Sequence, residues 1–295
     1  MVDITMKRFI FGICVLFAAL SVSLVSGMAQ EKSVQEKSVS ADAPGGWNDG
    51  RIRIVAHRGY WNCEEAGYAR NSVAALKCAQ KAGFWGSEFD VNMTSDGYLL
   101  VYHDSTIGGK PIDRTPYSEF KDVRLENGEK IPLVDDYLKQ ALKHPGTVLV
   151  YELKTHSSPD IESRLVGRTA DKLREYGLYD PDKVIFISFS KFICDKIAAE
   201  MPGFVCQYLG DDRCPESLYE DGINGVDYHF SVFYSHTQWL EQARNLGMSV
   251  NCWTVNEVKD MQNMAGLGVD CITTDRPMDL RQELKTASVE EVMSF

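Results

Sequence analysis

Four short stretches of this 295-residue chain carry side chains fit for acid/base, metal or phosphate chemistry. They are Ala56-His57-Arg58-Gly59, Glu88-Phe89-Asp90, His103-Asp104 and Glu152-Leu153-Lys154. In an extended strand residues i and i+2 share a face, so Glu88 and Asp90 point one way and Phe89 the other. Two carboxylates on one face of an apolar strand are costly to bury unless something positive joins them. The plain alternative is a solvated edge strand with two surface acids, against which Phe89 and Val91 argue. Glu152 and Lys154 repeat the spacing with one acid and one base. Glu152 is either the third carboxylate of a hard oxygen site suited to Ca²⁺ or Mg²⁺, or half of a simple ion pair.

Taken together, these residues suit the cleavage of a phosphodiester. A divalent metal and the cations Arg58 and Lys154 would neutralise charge developing on the phosphoryl oxygens. One imidazole of His57 and His103 would remove a proton from the nucleophile while the other protonates the departing alkoxide. Histidine suits both tasks because its pKa lies near neutrality. Of the other four histidines, His144 reads as surface capping and His236 as loop, while His156 and His229 could line the same site.

These groups need elements to hold them. From residue 51, short apolar runs alternate with segments of helical period. Candidate strands are Ile52–Ala56, Ser87–Val91, Val148–Leu153, Val184–Ile187, Phe204–Tyr208, Gly225–Tyr228, Ser249–Trp253 and Cys271–Thr273. Candidate helices are Asn71–Ala82, Val134–Lys143, Ile161–Tyr176, Lys191–Glu200, Thr237–Leu246 and Asn256–Ala265. Eight strands with intervening helices over about 240 residues is the count for an α/β fold of the TIM (β/α)8 barrel type. A doubly wound open sheet is the competing architecture, but no GxGxxG follows the first strand. In a barrel, the strand C-termini carry the chemistry, which is where His57 falls. Leu99–Ile131 is too irregular for a βα unit and reads as an elaborated loop. Within it Leu99–Tyr102 reads as a small extra strand that brings His103 back towards the mouth.

The N-terminus reads as a targeting segment. Lys7 and Arg8 precede an apolar run from Phe9 to about Leu24, then small residues ending Gly27-Met28-Ala29. That order marks residues 1–29 as a signal peptide, hence an exported, periplasmic or secreted protein without a membrane span after cleavage. An uncleaved anchor is the alternative, though the run is short for a span. Residues 30–50, polar and with Glu-Lys-Ser-Val twice, read as a flexible linker to a domain over 51–295. Removing residues 1–29 (net +1) takes the charge from −11 to −12. So acidic a chain, without a basic stripe, is unsuited to nucleic acid, and an anionic substrate needs a local positive site. Eight cysteines less Cys14 leave an odd seven, with Cys63/Cys78 and Cys206/Cys214 placed for loop-closing disulfides.

The ordered set of motifs resembles the glycerophosphodiester phosphodiesterase family. The likeness continues through Ser188-Phe189-Ser190, Trp253-Thr254-Val255-Asn256, Gly268-Val269-Asp270 and Thr274-Asp275-Arg276-Pro277, and so spans nearly all of residues 51–280. It implies a TIM barrel that cleaves a small glycerophosphodiester to glycerol 3-phosphate and an alcohol. It further implies Glu88, Asp90 and Glu152 as ligands of a divalent metal (Ca²⁺ or Mg²⁺) and His57 and His103 as the acid/base pair. Arg58 and Lys154 would hold phosphate, and Trp253 would be an apolar wall near the glycerol, or else a plain core aromatic. Where the family commonly opens its first helix with Pro-Glu-Asn-Thr, this chain has Ala69-Arg70-Asn71-Ser72, which alters charge beside the mouth while Asn71 or Ser72 can still cap the helix. Two other readings compete: a head-group-binding barrel without catalysis, and a phospholipase D-like enzyme acting on intact lipids. The second would need an apolar membrane-facing loop.

Overall fold

The computed structural model describes residues 47–293; the signal segment and most of the linker expected from sequence lie outside the described residues. In chain order the chain forms β1 (Arg53–Ala56), α1 (Val73–Ala82), β2 (Gly86–Met93) and β3 (Leu99–Val101). The small strands β4 (Thr106–Ile107) and β5 (Lys110–Pro111), α2 (Val134–Ala141), β6 (Val148–Leu153) and α3 (Pro159–Glu175) follow. Next come β7 (Val184–Ser188), α4 (Lys191–Glu200), β8 (Val205–Tyr208), α5 (Pro215–Glu220), β9 (Gly225–His229) and α6 (Phe230–Ser235). The chain continues with α7 (Thr237–Asn245), β10 (Ser249–Trp253), α8 (Val258–Leu267), β11 (Cys271–Thr274) and α9 (Pro277–Met293).

Eight of these strands are parallel and run in the order β1-β2-β6-β7-β8-β9-β10-β11, and β11 pairs back onto β1 to close the barrel. The two faces of each strand are chemically distinct. In β6, Val148 and Val150 point into the barrel while Leu149, Tyr151 and Leu153 pack in the layer beneath the helices. Phe89 joins that outer layer, stacked on Tyr137 at 4.7 Å and tilted against Tyr151 at 4.5 Å. Its neighbours Glu88 and Asp90 therefore face inward, as period-two alternation requires.

The first turn is held by close packing. Gly59 has φ +79°, and a Cβ there would stand 2.7 Å from Ala75 Cβ. That approach lets its N–H reach both Ala56 O (3.2 Å) and Glu88 O (3.0 Å), tying β1 to β2 and α1. Ser72, one of two residues expected to cap α1, accepts from Ala75 N, and Glu129 in the long β2–α2 excursion accepts from Val73 N at the same helix end. β3 runs antiparallel on β2 and returns the chain to the barrel mouth.

Several boundaries differ from the sequence expectation. Residues 47–50, at the end of the expected linker, pack on the barrel: Trp47 meets Trp85 edge-on, and Asn48 N donates to Asp270. α8 begins at Val258 rather than Asn256, whose side chain is committed elsewhere. α5 and α6 are six residues each, too short to show a period, and α9 has little one-sided apolar pattern. The seven described cysteines are free; Cys206 has Cys194 rather than Cys214 as its thiol neighbour, and Cys63 has Cys78. No helix among the described residues is long and apolar enough to cross a membrane.

Candidate active site

β1 ends in a turn that presents two functional side chains. His57 N donates to Thr274 O (3.0 Å), fixing the backbone across the β1–β11 seam. Arg58 adopts φ +54°, an uncommon conformation for a residue with a Cβ. Its backbone N–H is thereby aimed at Glu88 Oε2, at 2.6 Å. Its guanidinium Nε lies 3.4 Å from Asp90 Oδ2.

Glu88, Asp90 and Glu152 are buried, and each offers an oxygen within 4.8 Å of the others. Among the described residues they are the one cluster of three acidic, His or Cys side chains tight enough for an ion. Lys154 Nζ stands between them, 3.1 Å from Asp90 Oδ1 and 2.6 Å from Glu152 Oε1. The second contact lacks hydrogen-bond alignment, so Glu152 Oε1 is a buried oxygen without a proper donor. Burial, reinforced by the charges of Asp90 and Glu152, pushes Glu88 well above the usual carboxylate range. Burial and Asp90 push Glu152 up to about 7 against the pull of Lys154. Burial acts on Asp90 too, but Lys154, His103 and Arg58 hold it down at about 2. Three carboxylates facing two cations are thus unbalanced, and two of them are driven towards their neutral forms. A hard divalent cation fits this donor set, because it lets all three ionise.

The two histidines are each held at Nδ1. His57 Nδ1 lies 2.9 Å from Asp275 Oδ1, and His103 Nδ1 lies 2.7 Å from Asp104 Oδ1. A carboxylate at Nδ1 selects the tautomer with its proton there and leaves Nε2 for chemistry. Burial pulls His103 below the usual imidazole value, opposed by the nearby Asp90 charge. Asp275 also accepts from Trp61 Nε1 (2.9 Å) and Asn256 Nδ2 (2.9 Å). Burial would raise its pKa, but His57 and the two donors hold it well below the carboxylate range.

A cavity of about 70 Å³ opens among these groups. His57, Arg58, Glu88, His103, Glu152 and Trp253 line it, so the structure gathers six of the eight residues expected from sequence. Asp90 and Lys154 complete the charge cluster beside it. Phe189 meets Trp253 edge-on on the apolar side, and Trp253 Nε1 donates to Asp227 O. His156 is not brought in: Met93 N donates to its Nε2, and Nδ1 faces Lys154 O, a wholly structural engagement. His229 accepts from Ser231 N at the start of α6, with its ring 5.3 Å from Trp253.

Three contributors escaped the sequence reading. Asn71, expected only as a helix cap, has φ +58° and clasps Asp90 twice: Nδ2 donates to Oδ2 (2.8 Å), and Oδ1 accepts from Asp90 N (3.1 Å). Asp275 stood in the Thr274-Asp275-Arg276-Pro277 motif with no role assigned, though a residue following the last strand of a barrel lies at the mouth. Asp227 was hidden inside an apolar strand. Arg70, the departure from the family's Glu, lies over the Trp61 ring at 3.9 Å, and Trp61 is one of the donors to Asp275.

The sequence profile of the Glycerophosphoryl diester phosphodiesterase family matches residues 57–279, a stretch that holds every side chain of the site just described. This chain belongs to that family. A glycerophosphodiester phosphodiesterase of Caldanaerobacter subterraneus subsp. tengcongensis is 28% identical over 255 residues, 77% of this chain and 95% of that protein. Among solved structures, a glycerophosphodiester phosphodiesterase from Parabacteroides distasonis is 38% identical, with a TM-score of 0.77 over 80% of this chain and 98% of its own. An Oleispira antarctica phosphodiesterase in complex with the product sn-glycerol-3-phosphate has a TM-score of 0.69 at 22% identity, over 79% of this chain and 96% of its own. At that identity the likeness speaks for the family barrel alone.

Proposed function

We propose that this phosphoric diester hydrolase cleaves glycerophosphodiesters to glycerol 3-phosphate and an alcohol, with His57 and His103 as its acid/base pair. One observation carries the reading. Two imidazoles, each fixed at Nδ1 by a carboxylate, line one cavity with buried carboxylates suited to a hard ion. Glu88, Asp90 and Glu152 would hold Ca²⁺ or Mg²⁺, and such an ion, when bound, neutralises charge on the phosphoryl oxygens. Arg58 supplies a further positive charge at the same wall. Lys154 reaches phosphate if the ion takes over its two carboxylate partners. One histidine withdraws a proton from the attacking nucleophile, and the other returns one to the alkoxide that leaves. Trp253 closes the apolar side.

The test is incubation with glycerophosphocholine and glycerophosphoethanolamine, with Ca²⁺, with Mg²⁺ and with chelator, followed by assay of glycerol 3-phosphate. Metal-dependent product from either substrate is expected. No product from both substrates under both metals overturns the reading. A second reading, action on intact lipids, is favoured by the exposure of Phe189 (43%) and Phe192 (41%) where β7 meets α4 at the barrel mouth. Phosphatidylcholine vesicles in the same assay decide it: hydrolysis faster than that of glycerophosphocholine would move the assignment to lipids.

We also infer that residues 1–29 are a signal peptide and that the mature protein acts in the periplasm or outside the cell. The charged, apolar and small-residue order of this segment supports it. N-terminal sequencing of protein from the extracytoplasmic fraction should begin at Gln30. Recovery only from cytoplasm, with Met1 retained, would reject export.

A further inference from the structure

Asp227 is the one inward-facing acid of the cavity that the chemistry above leaves unused. It sits in the middle of β9, a strand whose other buried residues are Gly225, Val226 and Tyr228. The residue is 1% exposed, and both of its carboxylate oxygens are buried with no hydrogen-bond partner. Leaving such a group unsatisfied is destabilising, so an orphan carboxyl needs an explanation. Its neighbour in register, Asn251, gives one Nδ2 hydrogen to Thr273 Oγ1 at 3.0 Å and draws on the Asp227 carboxylate with the other, without an aligned bond. Nor does Asp227 belong to the ion cluster formed by Glu88, Asp90 and Glu152. It does line the same cavity, with Trp253 and Thr273 beside it.

We propose that Asp227 is the residue that recognises a hydroxyl of the substrate's glycerol unit. This rests on the glycerophosphodiester reading and names the group within that site that selects glycerol over an alkyl chain. A hydroxyl both donates and accepts, so it satisfies Asp227 whether the carboxyl is ionised or neutral. The phosphoryl end lies against Arg58, the ion cluster and the two histidines, while the carbon chain runs along Trp253. In that pose the polar end of the glycerol meets the only inward carboxylate outside the ion cluster among the lining residues. A buried polar group built to meet a hydroxyl rejects the analogue that lacks it, because the group is then left unpaired.

The test is binding, measured by calorimetry in Ca²⁺, of glycerol 3-phosphate and of n-propyl phosphate, which keeps the chain and lacks both hydroxyls. Wild type should prefer glycerol 3-phosphate by about 30-fold or more, within the discrimination a buried hydrogen bond can give. In Asp227→Ala the preference should fall to about threefold or less, with propyl phosphate affinity and Ca²⁺ affinity held within about threefold. Asp227→Asn, which keeps a hydrogen-bonding group of the same shape, should fall between the two. It also serves as the readout if the Ala variant does not fold, and its preference must then be at least about threefold below wild type. Absence of preference in wild type, or an unchanged preference in the variants, overturns the proposal. Equal loss of both ligands, or a fall of about tenfold in Ca²⁺ affinity, assigns Asp227 to the ion and overturns it equally. Wild-type hydrolysis of glycerophosphocholine, assayed in parallel, reports separately on the phosphodiesterase reading.

Discussion

Asp275 accepts hydrogen bonds from three side chains on three different segments, His57, Trp61 and Asn256, and so acts as a positioning residue for the imidazole of His57. Asp275→Asn should lower kcat about tenfold or more while KM changes little, because binding groups stay and only the imidazole's tautomer and orientation are lost. His57→Ala and His103→Ala should each lower kcat by about 10²-fold or more, and near-normal turnover in either would remove that residue from the pair. Asn71 holds Asp90 from two sides, so Asn71→Ala should weaken Ca²⁺ binding about 10–100-fold by calorimetry. Affinity within about twofold of wild type would reduce Asn71 to a turn residue. The histidines and the acid pairs were legible because strand ends and i, i+2 spacing leave a mark in the sequence. Asp275 and Asn71 were not, since their partners lie 218 and 19 residues away and no local period links them.

At the scale of elements, the site depends on how tightly β1, α1 and β2 meet. Gly59 has a left-handed backbone and no room for a side chain against Ala75. Gly59→Ala should therefore cost about 1–3 kcal/mol by denaturant unfolding, and should lower activity because it displaces the turn that carries His57 and Arg58. An unchanged midpoint would show that α1 yields freely there. All eight barrel strands were readable from their apolar runs, and β6 and β10 matched to the residue. The helices were less so. α1 starts two residues later than its pattern suggests because Asn71 leaves the helix to hold Asp90, and α8 starts two residues late because Asn256 turns to Asp275. In both cases a tertiary bond at the site overrides local propensity.

For the whole molecule, the buried acids set a pH dependence. Glu152 moves from an ordinary 4.5 to about 7 on folding without an ion, so the folded chain keeps a proton that the unfolded chain releases. Stability of the metal-free protein should therefore fall as pH rises from about 4.5 to about 7, with Glu88 and Asp227 acting in the same direction. Ca²⁺ should raise the melting temperature more at pH 8 than at pH 5, since at pH 5 protons compete for the same oxygens. Equal shifts at both values would remove the carboxylate cluster as the ion's seat. Asp90 and Asp275, held low by their partners, act oppositely and only in strong acid, as pH falls below their ordinary value near 4. The seam where β11 closes onto β1 has a further consequence. His57 sits just past the first strand and Asp275 just past the last, so the pair exists only once the two ends of the barrel have met. During synthesis a chain that has not yet released Cys271–Thr274 and Asp275 lacks this pair, however well its first half has folded. Release of β11 and Asp275 thus completes the pair, and a nascent molecule, or one clipped ahead of them, lacks it.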